Sequence, residues 1–174
     1  MKRATLSYPV LLAIAAVTQA LPVAAQMGPP APKSEVAQKI EAALASDIRS
    51  AQERARDTPE RKPVQTLEFF GLTPSMRVVE LFPAGGWYTK VLAPVLAEKG
   101  KLLVAPANPR LMNSLKEWKL DKVEALDMKM TLKGTAQFGV FESETVEMPA
   151  NSADMVLTFR NFHNMTPATR AKLN

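Results

Sequence analysis

The sequence predicts an α/β domain built on a parallel sheet, preceded by a helical extension. Three observations carry this expectation. Apolar runs at 77–81 and 101–105 are each followed by a stretch of helical periodicity, 87–98 and 110–119. A glycine-containing turn, Pro83-Ala84-Gly85-Gly86, joins the first run to its helix. Once a leader is removed, 149 residues remain, enough for one core and not for two.

Residues 1–25 read as a cleavable secretory signal. Lys2 and Arg3 supply the positive start, residues 10–17 a short apolar core, and Val23-Ala24-Ala25 the small residues that signal peptidase reads. Thr18, Gln19 and Pro22 interrupt the apolar core, which falls short of the roughly 20 residues a spanning helix needs, so no stable membrane anchor is expected. The expected location is periplasmic or secreted, after cleavage near Ala25. The chain has no cysteine, so no disulfide can brace it and stability rests on packing. Loss of Lys2 and Arg3 leaves 20 basic residues against 17 acidic ones. With no basic stripe interleaved with aromatics, nucleic acid is not an expected partner.

Residues 26–33, rich in proline, form a linker. The extension spans 34–72. Ser34 caps a helix whose apolar residues Val36, Ala37, Ile40, Ala43 and Leu44 recur at helical spacing, and the charged stretch 47–57 continues it after a break. Thr58-Pro59 starts another helix that runs to Phe70 and stops at Gly71. Arg54, Asp57, Arg61 and Lys62 read first as a solvated, charge-paired face and second as a cap over a site. Phe69, Phe70, Trp118 and Phe162 are expected in the core.

In the domain, 73–174, helix is favoured over 120–134 by Val123, Leu126 and Met130. Residues 137–141 and 154–159 read as the third and fourth strands, and Thr166-Pro167 opens a last helix. The nine methionines have no cysteine or clustered histidine beside them, so no metal is expected.

The segment VVELFPAGGWYT, 78–89, carries the chemistry: a strand ending in an acid, a tight turn, then a helix whose first N–H groups lack partners. This segment, with ARDTPERKPVQTLEFFGLTPSMR before it, KLLVAPAN, and MPANSADMVLTFRNFHNM, resembles the exported bacterial class I S-adenosylmethionine-dependent methyltransferases. The resemblance implies a Rossmann-like fold, of which this chain carries the front half, about four strands of seven, as a truncated form. It implies S-adenosylmethionine as cofactor and a small-molecule or otherwise unidentified methyl acceptor as partner. It implies that Glu80, Gly85, Gly86 and Tyr88 line the methionine and ribose end of the cofactor, that Asn108 meets the ribose and that Glu144 lies beside the adenine. Asn161, His163 and Asn164 would face the transferred methyl group or the substrate, with His163 and Asn161 as the catalytic candidates. Ala84 departs from the family's glycine, and Asn108 from its acid, which weakens the expected grip on the ligand. A fourth strand without its usual neighbour is an open edge through which the chain is expected to self-associate. The alternative to a methyltransferase is a non-catalytic binding module of the same fold. A general dinucleotide-binding protein is disfavoured, because the turn lacks the full glycine fingerprint.

Overall fold

The structure is a computed structural model that describes residues 32–57 and 61–173. The expected signal peptide, most of the expected linker and the expected Thr58-Pro59 helix start lie outside the described residues. Ser34 opens α1 (Glu35–Ala45), its hydroxyl accepting the Ala37 N–H at 3.1 Å and so satisfying one of the helix's orphan donors. Ala37, Ile40 and Ala43 of α1 are buried against the domain. The charged stretch holds only one helical turn, α2 (Ala51–Arg54), closed by a reciprocal capping box between Ser50 and Glu53. Helix α3 (Pro63–Phe69) ends at Gly71, which takes the left-handed φ of 75° that such a stop requires.

Four strands form one parallel sheet: β1 (Arg77–Leu81), β2 (Lys101–Ala105), β3 (Glu124–Ala125) and β6 (Met155–Thr158), in the order β3-β2-β1-β6. Helix α4 (Thr89–Leu96) links β1 to β2, and α5 (Pro109–Glu117) links β2 to β3. Both crossovers step in the same direction along the sheet. Right-handed connections therefore carry both helices onto one face, where Val78, Leu102, Val104 and Leu157 meet Val91, Leu92, Val95, Leu96, Leu111 and Leu115. Each such side chain stabilises the fold by roughly 1.5–3 kcal/mol. The other face, Val79, Leu81, Leu103 and Ala105, is covered by Phe82, Leu126, Met128, Met148 and Leu173. The expected α/β class and four-strand parallel sheet are present, in the arrangement of a Rossmann-like half.

The third strand is not where the sequence reading put it. Residues 120–134 are not helical: they hold β3 and then β4 (Lys129–Gly134), which pairs antiparallel with β5 (Phe141–Glu147). Leu126, Met128, Met130 and Leu132 alternate with polar residues at the period of a strand, and that pattern outweighs the helical spacing of Val123, Leu126 and Met130. Residues 137–140 form the tip of this hairpin, with Gly139 at a φ of 75° and Val140 N–H bonded to Gln137 O. Helix α6 (Pro167–Ala171), capped by Thr166 as expected, docks on the hairpin through Thr169, whose hydroxyl accepts the Ser143 N–H at 2.8 Å.

Three aromatics expected in the core are exposed. Phe69 is 86% exposed, Phe70 45% and Phe162 50%, while Trp118 packs at the edge of the core. Phe69 and Phe70 fall where α3 runs out, and their only aromatic neighbours among the described residues are each other. Among the described residues no strand pairs with the outer edge of β6, and Val156 there is 45% exposed. Leu157, by contrast, is buried, and Met155 and Phe159 pack against the core. No described helix is long and apolar enough to cross a membrane.

Candidate functional site

Strand β6 lies on the opposite side of β1 from β2, so the chain reverses direction at β1. Loops leaving the C-terminal ends of β1 and β6 diverge there, which is where open α/β sheets make ligand crevices. A cleft of about 270 Å³ sits at this point, and Glu80, Gly85, Tyr88 and Asn161 all line it. A second hollow of about 370 Å³ lies across Ala84 and Gly85, towards the end of β2, and Asn108 lines it. Nothing lies within 4 Å of where a Cβ on Gly85 would be, so an extended ligand can cross the turn at this glycine.

The backbone around the cleft is strained. Phe82, Ala84 and Arg160 have φ values of 56°, 49° and 61°, each in the left-handed region that non-glycine residues avoid, and all three line the cleft. Gly86, at 76°, is held for a second reason: a Cβ there would lie 2.7 Å from Cζ3 of Trp118. Asn161 secures the mouth. Its amide donates to Phe82 O at 3.1 Å, Phe159 O at 3.0 Å and Thr158 Oγ1 at 3.3 Å, tying the end of β6 to the end of β1.

Glu80 is buried at the base of the cleft and accepts the Thr89 hydroxyl at 2.6 Å. Burial pushes its carboxyl up to about 7, and the Thr89 bond offsets only part of that. A carboxyl poised there can change its charge when a cation or a hydrogen-bonding hydroxyl arrives. The Tyr88 ring stacks on Phe159 at 3.4 Å between centroids. Burial raises the Tyr88 hydroxyl, against the opposing influence of Arg61.

The extension builds one wall of the cleft, which the solvated-face reading did not anticipate. Arg49 is fully buried and grips both oxygens of Asp57 at 2.7 Å. Lys90 meets both oxygens of Glu53 at 2.9 and 3.0 Å. Burial works to raise Glu53, but the Ser50 N–H and Lys90 outweigh it and leave the carboxyl below its usual value. Trp87 donates its indole N–H to Glu53 O, and the guanidinium carbons of Arg49 and Arg61 lie 4.8 and 5.0 Å from its ring centroid. Of the four charged residues singled out in the sequence, Arg61 lines the cleft and Asp57 holds Arg49, whereas Arg54 bonds outward to Ser46 O and Lys62 is exposed. Arg49 and Lys90 gave no sign in the sequence, because a lone basic residue among charged neighbours does not reveal that it is buried.

Not every expected ligand residue gathers here. Asn108 caps α5, its Oδ1 accepting the Leu111 N–H at 2.9 Å, so only its amide nitrogen is left for a ligand. Glu144 is exposed on β5, hydrogen-bonded to Lys133, and lines neither hollow. His163 is exposed on a short turn, Phe162–Asn164, and Asn164 shares that turn; neither lines the cleft. Among the described residues no three side chains of metal-binding type come together.

No protein-family model matches the chain, and no curated protein matches it in sequence. Fold and cleft together define an α/β protein with a four-stranded parallel sheet, consistent with a Rossmann-like half fold, and a strained cleft at its switch point.

Proposed function

We propose that this cleft binds S-adenosylmethionine and that the protein is an exported methyltransferase-like protein, acting on a methyl acceptor of small size. One observation carries the reading: Glu80, Gly85, Tyr88 and Asn161, singled out from sequence, come together in one cleft where the sheet reverses direction. The residues fit the cofactor. The turn at Gly85 is open on both sides, and the Glu80 carboxyl can pair with a cationic group. When bound, the cofactor supplies an electrophilic methyl on a sulfonium. Glu80, Gly85 and Tyr88 would hold it beside Asn161, and the methyl group it would supply would go to an acceptor lying at the same cleft. The chain's residues position the two ligands and exclude water.

Ala84, whose Cβ sits on the turn, and Asn108, spent on its helix, favour loose binding. Calorimetry on the chain lacking residues 1–25 is expected to show little heat at micromolar S-adenosylmethionine and saturation only above it. Saturable heat that disappears in Gly85→Trp, at a position where a Cβ meets no neighbour, supports the reading. No heat at millimolar ligand overturns it and leaves the second reading, a non-catalytic binding module. That second reading draws on His163, which stands apart from the cleft.

A further inference from the structure

The charge of the cleft does not match that of a sulfonium ligand alone. Arg56, Arg61 and Arg160 all line it, from three different segments: after α2, before α3 and after β6. Among the described residues none of the three guanidiniums pairs with a carboxylate. The cleft's own acids do not balance them. Glu53 is taken up by Lys90, and burial favours the neutral form of Glu80 at the base of the cleft. S-adenosylmethionine carries a net positive charge, from its sulfonium and ammonium against one carboxylate. Seating it beside three unpaired guanidiniums is unfavourable unless an anion enters as well.

We propose that the methyl acceptor is a planar carboxylic acid, its carboxylate held by Arg56, Arg61 and Arg160 and its body lying against Trp87, Tyr88 and Phe159. The proposal rests on the methyl-transfer reading of the same cleft. Guanidinium forks match a carboxylate in two-point geometry, and the ring edges that the stacked Tyr88 and Phe159 and the Arg61-covered Trp87 turn to the cleft offer its body an apolar wall. Glu53 and Glu80 temper the positive field, which suits a monoanion better than a phosphate dianion. Opposite charges on acceptor and cofactor make their binding mutually reinforcing, so each tightens the other by the same factor.

Calorimetry on the chain lacking residues 1–25, with 4-hydroxybenzoate as the probe, tests this. The probe is expected to tighten S-adenosylmethionine binding by roughly fivefold or more. Its neutral amide, 4-hydroxybenzamide, is expected to leave it unchanged. The double variant Arg61→Gln, Arg160→Gln is expected to lose the coupling while binding S-adenosylmethionine at least as well as the parent chain. The Arg61→Lys, Arg160→Lys variant, which keeps the charge and the fold, is expected to retain part of it. Coupling that persists in the glutamine variant, or that the amide reproduces, overturns the proposal. So does the absence of any effect of 4-hydroxybenzoate on a chain that binds S-adenosylmethionine. If the glutamine variant loses S-adenosylmethionine but keeps 5′-methylthioadenosine, the arginines hold the cofactor's own carboxylate, which also overturns it. If 4-hydroxybenzoate binds through the arginines and S-adenosylmethionine binds in no mixture, the carboxylate site stands and the methyl-transfer reading fails.

Discussion

Tyr88 stacks flat on Phe159, with ring planes 11° apart, and so clamps the turn after β1 to the residue that follows β6. The two strands already pair through their backbones. The ring contact adds a side-chain lock at their C-terminal ends, where the cleft opens. Phe159→Ala is expected to cost about 2 kcal/mol in urea unfolding, less than a fully buried phenylalanine because Phe159 is half-buried. A loss under a few tenths would show that the stack does not hold the cleft.

Glu80 should make stability depend on pH. Its carboxyl titrates near 7 in the folded chain and near 4.5 when unfolded. Between those values the folded state holds more protons, so stability is fully present below about 4.5 and falls as pH rises through about 7. The full swing is on the order of 3–3.5 kcal/mol. Glu80→Gln is expected to remove this slope in melts at pH 5, 6, 7 and 8, and a variant with the parent's slope would assign it to another group.

The turn should respond oppositely at two neighbouring positions. Ala84 holds a φ of 49°, so Ala84→Gly relieves strain and is expected to stabilise by about 1 kcal/mol. Gly86→Ala adds a Cβ at a φ of 76° against the Trp118 ring and is expected to cost roughly 2–4 kcal/mol. Denaturant midpoints check both signs.

Among the described residues the outer edge of β6 presents unpaired backbone and an exposed Val156, a template for a second copy of the chain. The chain lacking residues 1–25 is expected to elute as a dimer or larger on size exclusion, and Val156→Lys to shift it towards monomer. A parent chain that elutes as a monomer with a sharp melt and strong near-ultraviolet signals from Trp87 and Trp118 would refute edge pairing.

Protein recovered from the periplasm is expected to begin at Gln26, as intact mass reports. Retention of 1–25 on the exported protein would refute cleavage.

What could be read from the sequence was local. The capped α1, the strands β1 and β2, the helices α4 and α5 and the Gly85-Gly86 turn were legible because periodicity, caps and turn residues act over a few neighbours. The likeness of 78–89 to a ligand turn picked out Glu80, Gly85 and Tyr88, that of 148–165 picked out Asn161, and the fold then brought the four together. The hairpin was misread because Leu126 and Met130 satisfy a helical period and a strand period alike, and only a pairing partner, β5, decides between them. The same holds for side-chain environment. Phe69 and Asn108 have fates set by what lies opposite them: open solvent for the ring, an unpaired helix N–H for the amide. Arg49 and Lys90 are buried because Asp57 and Glu53, close by for one and 37 positions away for the other, meet their charge. Burying a charge costs several kcal/mol unless a partner is already in place, and only the tertiary structure supplies that partner.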